Sequence, residues 1–459
     1  MKRALGSTLL VAALLAGVAA DGAAAAPGDP TTTMVADIWP GGISGNPQDL
    51  FDAGGTLLFN AGDGVHGNEL WRSNGGPLGA GTDIVDIAPG GDPSNPSQFT
   101  DVGGTILFEA SDGTNGGELW KIAPPFTSPV MVENIAPAAA SSTPGQMFDA
   151  GGGTLLFTAD DGTNGNELWK SVPPYDAAST SLIDVNPTGD SFPGPFVNAT
   201  GVVLFSGDDG SGDGFELLKI APPYTTPVQV EDINPAGDSQ VDDPVNLGGT
   251  VVFLADDGTN GEELWSSAPP YDAASTNLLD INPGPDPSEP QFPTNVGGTL
   301  FFQADDGVHG PELWRSNGGP VGSGTTLAAD IRTGATGSFP SFLADFGGTL
   351  YFSADEGGTV GQELYRSSGT GATLVADVNQ TAPGDSSNPQ KLTPSGGTLF
   401  FSAYGGMPTG FELWKTTLEG PPMPPVPVPA KKAKCKKKKK KGKGAAASKK
   451  RKCKKKRKK

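Results

Sequence analysis

Six aspartates recur at one place in a repeated turn: Asp63, Asp112, Asp161, Asp209, Asp257 and Asp306. The turns read AGDGVHGN, ADDGTNGN or ADDGTNGE and close variants, so each carboxylate sits among Gly, Asn and further Asp. Oxygen-rich loops can coordinate Ca2+. These turns are shorter than an EF-hand loop and lack its alternate-oxygen spacing. The same Asp and Asn can instead fix a turn by bonding their own backbone. Calcium and plain turn formation are both open readings of the motif. His66 and His309, the only histidines, occupy the position where other repeats carry Asn164 or Asn260, which reads as a turn position. No nucleophile–His–acid arrangement and no phosphate-cradling loop is present, and no pair of carboxylates is singled out for acid–base work. The sequence therefore predicts no catalytic residue, and no cofactor beyond the Ca2+ just considered.

A second set of residues has the chemistry of a contact patch. Four connections read Pro-Pro-aromatic, with Phe126, Tyr175, Tyr224 and Tyr271 as the aromatic. A rigid Pro-Pro segment can present a ring to a sugar or a protein partner. The alternative is that the ring caps the apolar end of its own repeat.

Both sets hang on an internal repeat. Glu-Leu-Trp, or a close variant, begins at Glu69, Glu118, Glu167, Glu216, Glu263, Glu312, Glu363 and Glu412, at intervals of 49, 49, 49, 47, 49, 51 and 49 residues. Six of the seven tryptophans fall in this motif. Upstream lies an apolar run such as TLLF (56–59), TILF (105–108) or VVLF (202–205). The Asp-Gly turn between two β-rich runs is a hairpin signal. A period near 49 residues with short strands predicts an all-β fold, an eight-bladed β-propeller of four-stranded blades spanning residues 33–417. Runs that are apolar on successive residues fit strands covered on both faces, as in stacked blades. The last Glu-Leu-Trp has no fourth strand after it, whereas a fourth-strand segment at 33–38 precedes the first repeat. The chain is therefore expected to close its ring by adding 33–38 to the last blade, which protects an exposed edge.

Charge is sharply segregated. Residues 431–459 hold 20 Lys/Arg and no acid, and the rest of the chain holds 11 basic against 51 acidic residues. This excludes a uniformly basic nucleic-acid binder, a helical bundle and a multispan membrane protein. Residues 1–26 have the layout of a signal peptide, with Lys2 and Arg3 before an apolar run and small residues after it. No later segment is long and apolar enough to span a bilayer, so no transmembrane helix is expected after signal cleavage. The expected location is secreted and cell-surface associated. Residues 418–430 are a Pro-rich linker of extended type. The 431–459 tail repels itself and is expected to be disordered. Lys436, Lys437, Lys438, Lys439, Lys440, Arg451 and Arg457 exemplify a tether to anionic envelope polymer, anionic lipid or extracellular DNA. The only cysteines, Cys435 and Cys453, lie in this tail and leave the body without a disulfide.

The recurring GGTLLF…ADDGTNGxELW block resembles the secreted bacterial proteins named for the ELWxxDGT repeat. The similarity covers residues 33–417. The chain departs from that pattern after ELWxx, where DGT gives way to SNGG (73–76, 316–319), SSGT (367–370) or Pro-Pro-aromatic. The resemblance implies an exported, propeller-like repeat protein and carries no catalytic residues across. The expected function is a non-catalytic binding or adhesion propeller with a glycan or protein ligand on one face. The alternative is an extracellular carbohydrate-active enzyme, a lyase or hydrolase, with its site at the propeller channel.

Overall fold

The computed structural model describes residues 36–40, 45–358, 360–395, 398–405 and 411–417. The segments 1–26, 418–430 and 431–459 lie outside the described residues, and with them Cys435, Cys453 and the named tail lysines and arginines.

Four-stranded antiparallel sheets follow one another along the chain. Among the described residues seven have four strands and the last has three, and in each the strands lie in sequence order. Sheet two is typical, with strands Ser97–Val102, Thr105–Ser111, Gly117–Ile122 and Val130–Glu133. The described regular elements other than strands are two short 3-10 turns, Ala177–Ser179 and Ala273–Ser275. The tight turns between second and third strands place Gly113 and Gly116 at φ +77°, a region open to glycine at little cost.

The second strand of each four-stranded sheet is buried on consecutive residues because both its faces are covered. Leu155, Leu156, Phe157, Thr158 and Ala159 are all buried. The cores lie between successive sheets. At the first junction Ile87, from the end of sheet one, packs with Phe108, Ala110 and Trp120 of sheet two. Ile135 with Phe157, Ala159 and Trp169, and Ile233 with Phe253, Ala255 and Trp265, repeat the arrangement. The first strands of successive sheets pack side by side along the inner edge of the array. This is a β-propeller-like fold.

The repeated Glu explains how one sheet is joined to the next. Glu69 is fully buried and accepts hydrogen bonds from the Ile87 amide (2.8 Å), the Ser94 amide (3.0 Å) and the Ser94 hydroxyl (2.7 Å). Its carboxylate thus pins the segment leading into sheet two. Glu118 does the same with Ile135 and Ser142, Glu263 with Ile281 and Ser288, and Glu363 with Val378 and Ser387. Such bonds offset much of the cost of burying a carboxylate.

Of the segment 33–38, residues 33–35 lie outside the described residues. Asp37 and Ile38 carry no strand assignment. Ile38 packs against Phe59, Ala61 and Trp71 of sheet one.

Candidate functional site: the inner strands and their turns

The six turn aspartates are where the sequence puts them, and their carboxylates bond their own turns. Asp112 accepts the Thr114 and Asn115 amides (both 2.9 Å) and Asn115 Nδ2 (2.7 Å). Asp161 and Asp257 repeat this with Thr163–Asn164 and Thr259–Asn260. Asp63 and Asp306 make the same two amide bonds and take His66 Nδ1 and His309 Nδ1, each at 2.7 Å, in place of the asparagine. Asp209 accepts the Ser211 amide at 2.9 Å. Burial works against ionisation of these carboxyls, but the hydrogen bonds outweigh it and hold Asp63, Asp112, Asp161, Asp257 and Asp306 below the usual carboxylate range. The bond to the carboxylate raises His66 and His309 in turn. Among the described residues no three His, Cys, Asp or Glu side chains converge on a common point.

Phe126, Tyr175, Tyr224 and Tyr271 are buried, with their rings in the junctions between sheets. The Tyr175 hydroxyl donates to the Gly153 carbonyl (2.9 Å), that of Tyr224 to Ala150 (3.1 Å) and that of Tyr271 to Gly249 (2.7 Å). A lysine on the preceding sheet closes each junction. Lys121 Nζ donates to the Pro174 and Tyr175 carbonyls (both 2.7 Å), Lys170 to Pro223 and Tyr224 (both 3.1 Å), and Lys219 to Pro270 and Tyr271. Arg72 reaches Pro125 O in the same way. These rings have no open face for a ligand to stack on. The capping alternative describes them, with the difference that each ring seals a junction of two sheets rather than one repeat.

The exposed aromatic residues are elsewhere. The inner strands Gln48–Asp52, Ser97–Val102, Gly145–Gly151, Asp242–Leu247, Gln291–Val296, Ser341–Phe346 and Gln390–Ser395 share one device. Their second residue has a positive φ: Asp49, Gln98, Gln146, Asp243, Phe292, Phe342 and Lys391. Just upstream, the residue after the buried serine or its Gly45 counterpart does the same: Asn46, Asn95, Thr143, Phe192, Gln240, Glu289, Phe339 and Asn388. The inner-strand position is Asp, Gln, Phe or Lys and the upstream one Asn, Thr, Phe, Gln or Glu, so that the pair of side chains differs between these sheets. Phe192 (54 %), Phe292 (41 %), Phe339 (49 %) and Phe342 (38 %) are exposed. Phe292 and Phe342, on adjacent inner strands, stack with ring centroids 6.3 Å apart and planes inclined by 25°. Sequence reading missed these residues because the inner strands are weakly patterned. The recurring Ser-x-Pro, as in Ser288-Glu289-Pro290 and Ser338-Phe339-Pro340, was the available signal.

No family model matches this chain, and no curated protein matches it. Among solved structures the chain is similar to a prolyl endopeptidase at 11 % identity and a TM-score of 0.41, over 78 % of this chain and 54 % of the other. Two structures of a puromycin hydrolase are similar at 17 % identity, with TM-scores of 0.39 and 0.37. Each likeness covers 70 % of this chain and 52 % of that one, and in one of the two a mutant is complexed with PGG. The chain thus spans about half the length of the structures it matches.

Proposed function

We propose that this chain is an exported, non-catalytic binding protein of the ELWxxDGT kind. In this reading it is an eight-bladed β-propeller held at the cell surface by its basic tail. The observation that carries the binding reading is the contrast between buried and exposed positions of one repeat. The Glu, the serine it holds and the apolar triad recur nearly unchanged, whereas the paired positive-φ positions on the inner strands vary from sheet to sheet. A scaffold kept constant with a face that varies is how a repeat protein makes one specific ligand site.

Closure of the ring is supported by two features. Thr33-Met34-Val35-Ala36-Asp37-Ile38 repeats the pattern of Thr82-Asp83-Ile84-Val85-Asp86-Ile87. Ile38 also sits on sheet one where Ile87 sits on sheet two. The tail, at 20 positive charges, supplies attraction to anionic polymer. Removing residues 431–459 is expected to release the protein from cell envelopes into the medium. Retention that is unchanged by the deletion, at low and high salt alike, overturns the tether. Turnover of any glycan or chromogenic ester by the purified chain overturns the non-catalytic reading.

A further inference from the structure

The strongest unassigned feature is the aromatic cluster on sheets six and seven. Phe292, Phe339 and Phe342 are exposed, and all three have a positive φ, at +57°, +51° and +52°. A bulky side chain in that region is uncommon and strained. The fold itself does not ask for phenylalanine there. Gln98 and Gln146 hold the place of Phe292 and Phe342 in sheets two and three, and Glu289 holds the place of Phe339 in sheet six. Phe292 and Phe342 stack on each other and Phe339 lies three residues before Phe342; exposed rings at positions where polar residues serve equally well need a reason.

The neighbouring charges select the occupant. Glu289 lies three residues before Phe292, and Asp242 and Asp243 begin the adjacent inner strand, Asp242–Leu247. Glu262, Glu289, Asp242, Asp243 and Asp256 take part in none of the ion pairs of the described residues. They lie close enough to act on one another: burial first, and then Glu289, Asp242, Asp256 and Asp243, push the Glu262 carboxyl up. Stacked rings beside unneutralised carboxylates complement a cation on an apolar stem. The ring faces attract the charge, the stems cover the rings and the carboxylates meet the head groups.

We propose that the patch of Phe292, Phe339 and Phe342 binds a cationic polypeptide segment. Its Arg or Lys side chains lie over the phenyl faces, with their head groups directed to Glu289, Asp242 and Asp243. The proposal rests on the binding reading above and names the chemistry of its ligand.

The test uses the full chain and a fluorescent hexa-arginine peptide, in about 0.15 M salt so that long-range attraction to the acidic body is screened. The double variant Phe292→Gln/Phe342→Gln installs the residues that sheets two and three already carry, and its melting temperature checks that it folds. It is expected to bind about tenfold more weakly. Phe292→Tyr/Phe342→Tyr keeps the rings and is expected to bind as the parent does. Equal binding by the glutamine variant and the parent overturns the proposal, because the peptide is then held only by general charge. A neutral cello-oligosaccharide that binds in a phenylalanine-dependent way, where hexa-arginine does not, overturns the cationic ligand and leaves the binding reading standing.

Discussion

Ile38 packs on Trp71 as Ile87 packs on Trp120, one repeat further along. A second contact belongs to the same seam. The Gly62 amide donates to Gly45 O at 3.0 Å, as the Ser111 amide donates to Ser94 O at 3.0 Å. The chain before sheet one therefore presents to that sheet what the end of each sheet presents to the next. A free leader would have no reason to reproduce these contacts. Ile38→Ala is expected to lower stability by roughly 1–2 kcal/mol, as a partly buried aliphatic truncation does. The measurement is a urea midpoint. A midpoint equal to that of the parent would mean that Ile38 contributes nothing to the packing of sheet one.

The buried glutamates admit a sharper test. Glu118→Ala strips the Ile135 amide of its acceptor inside a dry junction and leaves the Ser142 amide and hydroxyl with the Gly117 carbonyl alone. The expected loss is about 2–3 kcal/mol, since one buried donor is orphaned and two others lose a bond to a carboxylate. Glu118→Gln keeps one acceptor oxygen and should lose about half as much. The same substitution at Asp112, in an exposed turn, should cost less than about 1 kcal/mol. Denaturant titration of the three variants orders them, and an equal loss at Glu118 and Asp112 would contradict the joining role given to Glu118.

Glu216 carries a pH dependence of its own. It is buried, one of its oxygens has no hydrogen-bond partner, and burial pushes its pKa up to about 7. The folded chain thus holds this proton more tightly than the unfolded chain does. The stabilising contribution is complete below the ordinary glutamate pKa and is lost as pH rises through about 7. Between pH 5 and 8 the parent should become less stable relative to Glu216→Gln, whose amide does not titrate. Urea midpoints of both proteins across that window are the check, and parallel curves would remove Glu216 as the source.

How much of this was legible follows from which residues repeat. Glu-Leu-Trp, the apolar runs and the Asp-Gly turns recur at fixed intervals because each meets the same neighbours in each sheet, so the strands and their order could be read directly. The Pro-Pro-aromatic segments leave two readings open, a displayed ring and a ring capping the apolar end of its repeat. What decides for the buried ring is Lys121, Lys170 and Lys219, some fifty residues upstream, closing over the carbonyls of Pro-Pro-Tyr. That contact joins neighbouring sheets and leaves no local pattern. Phe292 and Phe342 were illegible for the opposite reason: they occupy positions whose backbone is constant and whose side chain is not.

The lysine contacts give a prediction that separates packing from charge. Lys170→Met retains the aliphatic stem and removes the bonds to the Pro223 and Tyr224 carbonyls. The expected loss is about 1 kcal/mol, typical of a charge-assisted bond that is partly open to water. Tyr224→Phe removes only the bond to Ala150 O and should lose a similar amount. The double variant should lose more than the sum, because both groups position one Pro-Pro-Tyr segment. Simple additivity in a thermal or urea series would show that the lysine and the ring act independently.

Phe292→Gly and Phe342→Gly test the strain argument without reference to a ligand. At φ +57° and +52° a phenylalanine is held in a region that glycine enters at no steric cost. Glycine relieves that strain, of order 1 kcal/mol per site, but it raises the entropy of the unfolded chain by a comparable amount and gives up the stacking of the two rings. The first two effects nearly cancel, so a net loss of no more than about 1 kcal/mol, the size of the lost stacking, is expected. A surface aromatic that merely filled its strand would instead show a clear loss, because glycine is among the poorest strand formers. Melting curves of the two single variants decide this. A loss of more than about 1 kcal/mol at either site would mean that the phenylalanines are there for the fold and not for its exposed face.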